Sequence, residues 1–233
     1  MLRLTRFRLL CCLGVLLGLT ACNYNSRLPQ KIYPVSDTTP KINARVLIPA
    51  EHIAQEKFVF KDYHLSSSVQ SYSIDLRKGS LIAAADALGT LFTLVDVDKT
   101  NTSANYDYIA RLTYNIVDPR ENSLESVQWL NYSQMPQLQT QVTLTLSDSK
   151  TGEVVFTAYA SRENRIELNN ITAAAYHMQN NSLLSAIFLP LTSPIYTQQM
   201  GKRIKYTLSR DLRACLEEIT QTLHEQSALF IKE

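Results

Sequence analysis

Seven residues near the end of the chain, Met200, Ile204, Leu208, Leu212, Cys215, Ile219 and Leu223, recur every three or four positions. That spacing places them on one stripe of a long amphipathic helix, about seven turns from Gln198 onward. A helix with one apolar stripe is stable only when something covers that stripe. The remainder of the chain therefore has to provide an apolar surface of comparable length.

Period-two alternation supplies it. "INARVLIP", Ile42 to Pro49, is a short apolar run suited to a buried strand and ended by proline. In "KFVFKDY", Phe58 and Phe60 flank Val59. In "VQSYSIDL", Tyr72, Ile74 and Leu76 face one way and Val69, Ser71 and Ser73 the other. The period then changes. "SLIAAADALGTLF" puts Leu81, Ala84, Ala85, Leu88, Leu91 and Phe92 on a helical stripe, with Ser80 as the expected N-cap. "TLVDVD" alternates again, completing a strand–helix–strand unit.

After a polar break, "YIARLTYNIVD" reads as a long strand. "QTQVTLTLSD" and "GEVVFTAYASR" form the clearest hairpin, with Val142, Leu144 and Leu146 on one face and Thr143 and Thr145 on the other. "ITAAAYHMQNNSLLSAIFLPLTSP" is expected to hold one or two helices stopped by Pro190 and Pro194. The order of elements describes an α+β domain, a mixed or antiparallel sheet with helices packed on one face and a long C-terminal amphipathic helix.

Charge excludes one class of partner. Arg3, Arg6 and Arg8 crowd the first eight residues; removing them from the 23 Lys and Arg leaves 20 against 21 Asp and Glu. A nearly neutral chain without a basic stripe is a poor nucleic-acid binder.

Those arginines open a leader. "MLRLTRFR" is a positively charged n-region, and the apolar run Leu9–Leu19 is about half the length needed to cross a bilayer as a helix. A signal-peptidase cut after Ala21 would put bulky Leu19 at −3. Leu19-Thr20-Ala21-Cys22 instead resembles the lipobox of bacterial lipoproteins. The resemblance covers only the leader, but it implies a great deal. Leu19 and Ala21 would be read by the peptidase, and Cys22 would carry diacylglycerol on its thiol and an acyl group on the new amino terminus. A single myristoyl chain gives only reversible binding, so three chains would hold the protein on a membrane essentially for good. Asn23 stands where an aspartate would be the family's signal for inner-membrane retention. The resemblance thus implies the outer membrane, with the domain facing the periplasm.

The expected organisation is a leader over residues 1–21, a lipidated tether over 22–40 and one α+β periplasmic domain over 41–233. The segment from Asn23 to Pro40 has three prolines and no periodicity, as an extended tether would. With Cys11 and Cys12 lost and Cys22 acylated, Cys215 is the one cysteine of the mature chain, and no intramolecular disulfide can form.

Catalytic patterns are poor. Ser147-Asp148-Ser149-Lys150 matches Ser-x-x-Lys, but falls in the hairpin turn. His52, His64, His177 and His224 are scattered, with no metal-ligand spacing. Cys215 reads as a core residue on the helix stripe. No catalytic residue, metal or cofactor is expected. Tyr106, Tyr108 and Trp129 are candidate partner contacts, because a rigid ring with a polar tip suits interfaces.

A second, broader resemblance covers about half of the mature chain. "SYSIDLRKGSLIAAADALGTLFTLVDV", followed by strands and the "DSKTGEVV" hairpin, resembles small periplasmic lipoproteins that assist envelope machines. Among them are the lipopolysaccharide-assembly lipoprotein and the auxiliary lipoproteins of lipid-exporting ABC transporters. The resemblance implies a non-catalytic accessory or structural subunit of an envelope assembly, secretion or transport apparatus. Other envelope proteins and the membrane would be its partners. The alternative is a periplasmic module binding a lipid or glycan.

Overall fold

The computed structural model describes residues 24–28, 42–49, 57–63, 69–98, 105–119, 137–166 and 182–230. Among the described residues there are eight strands: β1 Tyr24–Arg27, β2 Ile42–Pro49, β3 Lys57–Tyr63, β4 Val69–Asp75, β5 Phe92–Asp98, β6 Tyr108–Val117, β7 Gln137–Asp148 and β8 Val154–Arg165. Two α-helices accompany them, α1 Arg77–Leu88 and α2 Ser182–Glu225, with a 3-10 turn at Ser227–Phe230. The fold is α+β, as the order of patterns implies. The strands, however, divide between two sheets, ordered β1-β4-β3 and β5-β2-β6-β7-β8. The strand–helix–strand unit is real, but β4 enters the small sheet and β5 pairs in parallel with β2 in the large one.

The large sheet carries most of the core. Along β6, Tyr108, Ala110, Leu112, Tyr114 and Ile116 turn inward. Leu112 stands opposite Leu144, and Leu144 opposite Ala158. The β7–β8 turn is held by the Asp148 carboxylate, which accepts the backbone N–H of Lys150 (2.8 Å) and of Thr151 (3.1 Å). Gly152 follows at φ +75°, a conformation that L side chains rarely adopt. Small Ala158 and Ala160 line the inward face of β8 and let α2 lie close across β7 and β8. The helix stripe is buried as its spacing requires: Met200, Ile204, Leu208, Leu212, Cys215, Ile219 and Leu223 are all at most 1% exposed.

Three local readings differ. The segment expected to be tether contributes Tyr24–Arg27 to the small sheet, and Leu28 after it is buried. The domain thus begins before residue 41; residues 29–40 lie outside the described ones. Helix α1 starts one turn earlier than Ser80. Its first N–H, from Arg77, is taken by the Asp75 carboxylate at 3.0 Å, while Ser80 is buried and its hydroxyl donates to the Leu76 carbonyl at 2.7 Å. The buried face of α1 is also made of smaller residues than the size of Leu81 suggests: Gly79, Ser80, Ala83, Ala84, Ala87 and Leu88. Finally, α2 runs through Pro190 and Pro194 instead of stopping there. An interior proline removes one hydrogen bond and crowds one carbonyl, which can bend a helix without ending it.

Candidate functional site

The small sheet contains the described residues nearest in sequence to Cys22, those of β1. Strand β1 pairs in parallel with β4, which pairs antiparallel with β3. In register, one row across the three strands is Tyr24, Tyr72 and Phe60, all on the inner face. Neighbouring ring centroids are 6.2 and 5.9 Å apart, the tilted packing that aromatic quadrupoles favour. The next inward row is Ser26, Ile74 and Phe58.

Two glycines clamp β1 in place. A Cβ on Gly201 of α2 would run into the Tyr24 ring, and a Cβ on Gly79 of α1 would run into the Leu28 side chain. One turn beyond Gly201, the Lys205 ammonium donates to the Ser26 hydroxyl at 3.2 Å. Thus the strand that begins two residues after Cys22 is gripped by both helices. Close approach explains a glycine in the middle of a long helix, where it otherwise costs about 1 kcal/mol.

The opposite face of the same sheet is charged. Asp75 stands between Arg27 on one side and Lys57 on the other. Arg77 reaches back to the same carboxylate through Nε (3.2 Å) and Nη2 (2.9 Å). Hydrogen bonding from Arg77 holds the Asp75 carboxyl below its ordinary value, with a smaller contribution from the charge of Arg27. Three cations therefore surround one carboxylate on the wall of an open cleft of about 380 Å³.

Residues singled out in the sequence fall in very different places. Leu19, Ala21, Cys22, Asn23 and Trp129 lie outside the described residues, as do His52, His64 and His177. Tyr108 is not a surface contact. It is 3% exposed, with its ring 5.3 Å from that of Phe230 and 6.4 Å from that of Phe92. At the start of a strand beside the buried β2, its inward position outweighs the interface value of its hydroxyl. Tyr106 is half-buried and donates to the Asp96 carboxylate at 3.0 Å. The apolar stretch Ser182–Leu191 is helical backbone whose side chains lie outside the described ones.

Cys215 sits in the core, its thiol directed at the Thr140 carbonyl at 3.8 Å. Burial pushes the thiol up to about 11, far from reactive thiolate character at neutral pH. Lys150 belongs to the hairpin turn, whereas Ser147 is a buried residue near the end of β7. Among the described residues, no group of three or more His, Cys, Asp or Glu is arranged to hold a metal, and no helix is long and apolar enough to cross a membrane.

One polar residue escaped the sequence reading. Asp211 is 1% exposed on the face of α2 that meets β8, and its Oδ1 accepts from Asn164 Nδ2 at 2.7 Å. Its Oδ2 is buried with no hydrogen-bond partner among the described residues. Desolvation raises its carboxyl above the ordinary value, opposed by the Arg210 charge and the Asn164 hydrogen bond. The signal available was slight: an aspartate one step before a stripe leucine.

No family model matches the sequence, and no curated protein matches it. Among solved structures the chain is similar to a Xanthomonas campestris protein of the family model DUF330, at 10% identity and a TM-score of 0.39, over 81% of this chain and 98% of that one. It is also similar to the PelC dodecamer from Paraburkholderia phytofirmans, at 14% identity and a TM-score of 0.33, over 73% and 92%. At such scores neither likeness carries an argument about function.

Proposed function

We propose that this chain is a bacterial outer-membrane lipoprotein, anchored through Cys22, whose periplasmic domain serves as a non-catalytic accessory or structural subunit of an envelope assembly, secretion or transport apparatus. The observation that supports it most is the position of β1. The lipobox ends at Cys22, and Tyr24 is already part of a sheet. Extended chain covers at most about 3.5 Å per residue, so an anchored Cys22 would hold the small sheet within roughly 7 Å of the acylated residue. The domain would work at the membrane surface rather than at the end of a long leash.

Its action would be contact rather than bond chemistry. The space beneath α2 is filled by its own stripe and by Val142, Leu144 and Leu146, each at most 1% exposed. A core packed in this way serves as a rigid support for surfaces. The test combines two measurements on cells expressing the full chain. Intact-mass analysis should show diacylglycerol and an acyl group on Cys22, and Cys22→Ala should abolish lipid labelling and release the domain from the outer membrane. Detergent extracts should then yield a stoichiometric envelope partner. A Cys22→Ala chain that is still lipid-labelled would end the anchored reading.

A further inference from the structure

We propose that the cleft between Arg27 and Lys57 takes the phosphate of an anionic phospholipid headgroup from the membrane that holds Cys22. The proposal rests on the anchored reading above and gives the small sheet's charged face a ligand.

Three observations carry it. The first is charge. Of the three cations lining the cleft, Arg77 is bound to the Asp75 carboxylate through two nitrogens, at 2.9 and 3.2 Å. Arg27 and Lys57, one on each side of Asp75 in register, remain as the excess positive charge of the cleft. The second is donor chemistry. Asn25 and Ser73 stand opposite each other one row away on the same face and line the same cleft. A guanidinium fork, an ammonium, an amide and a hydroxyl together suit the several oxygens of one phosphate. The third is position. Arg27 lies five residues after Cys22, so its Cα is at most about 18 Å from the anchored residue. A cationic cleft held that close to a bilayer meets headgroups at high local concentration without any diffusional search.

The clamp on β1 makes the placement durable. Tyr24 and Leu28 are fixed against Gly201 and Gly79, so the charged row stands on a rigid strand.

The experiment uses the full, acylated chain, carrying Val59→Cys and an environment-sensitive fluorophore. Val59 is 40% exposed on the same face, opposite Ser73, whereas the native Cys215 is buried. Reconstituted by its own anchor into phosphatidylcholine vesicles, the protein should show an emission change that saturates as phosphatidylglycerol is added. The double variant Arg27→Gln with Lys57→Gln should raise the half-saturating fraction at least tenfold, and Arg27→Lys should retain most of the response. Far-UV circular dichroism checks that each variant is folded. No response, or an unchanged response in the double variant, overturns the proposal. The same emission change on adding inorganic phosphate to pure phosphatidylcholine vesicles overturns it too, by assigning the cleft to a free anion. Intact mass separates the two readings. A chain with unmodified Cys22 refutes the anchor, and its titration with the same vesicles still reports whether the cleft responds.

Discussion

The two sheets are built by opposite logics. One half of the large sheet is made of neighbours in sequence: β6, β7 and β8 follow one another and pair antiparallel over 10- to 12-residue strands. The small sheet takes its edge strand from far away in the chain, with Tyr24 beside Tyr72 and both helices locking that edge. The filled interior runs from the large sheet into β3 and β4, where Phe58, Phe60, Tyr72 and Ile74 are at most 2% exposed, whereas β1 is held by close contacts at a few points. Substitutions should therefore fail globally in the shared core and locally at β1.

The largest effect belongs to the large sheet. Leu144→Ala removes a side chain that is 1% exposed between Leu112 and Ala158. It should cost about 2–5 kcal/mol in urea unfolding, with all probes losing structure together. If protection from hydrogen exchange were lost only near β7, the large sheet would not be the cooperative unit described.

Gly201→Val tests the clamp. The added side chain collides with Tyr24, and overpacking of this kind costs about 1–3 kcal/mol. The expected signature is local: faster exchange and easier cleavage in Tyr24–Leu28 while near-ultraviolet signals from the large sheet persist. Uniform destabilisation would erase the contrast between the sheets.

Two carboxylates sharpen the comparison through pH. Asp211, on the face of α2 that meets the large sheet, has a raised pKa, so the folded state favours its proton. Its burial penalty is felt at neutral pH and fades as pH falls through the raised value toward 3.8. Asp211→Asn keeps an acceptor for Asn164 and drops the charge. It should flatten that part of the stability profile and add on the order of 1 kcal/mol at neutral pH. Asp75, on the small sheet, has a lowered pKa; its contribution is present above about 3.8 and is lost as pH falls through its lower folded value. Because the pair is largely exposed, Arg77→Ala should cost less than about 1 kcal/mol. Its effect should disappear in acid, the reverse of the Asp211 profile.

The same contrast governs what the sequence disclosed. Strands β6 to β8 and the stripe of α2 were legible because burial on one face imposes a period, and period survives in the letters. Strand β1 was not legible. "YNSR" has no apolar alternation, since one face is covered by a single ring and a hydroxyl held by Lys205. The readable trace was indirect: Gly201 interrupts an otherwise leucine-rich helix and needs a close neighbour to justify it. Helix α1 was misplaced by one turn for a related reason. The Ser80 hydroxyl, resembling a cap, was instead a buried group bonded back to Leu76, and the Tyr114 hydroxyl donates to the Ser80 carbonyl at 3.4 Å. The cationic cleft was hidden in the letters, because its members come from β1, β3, β4 and the first turn of α1.

The contact between Tyr24 and Gly201 also orders events in time. Strand β1 is among the first parts of the fold to be synthesised, yet it gains its partner strand only after β4 exists and its cover only after α2 does. Contacts so distant in sequence form late, because the loop they close is long. Until the last helix arrives, the stretch beside Cys22 stays open, and under the anchored reading proposed above that is when acylating enzymes would reach it. Folding then seals it, and the finished domain can no longer pull away from its own first strand.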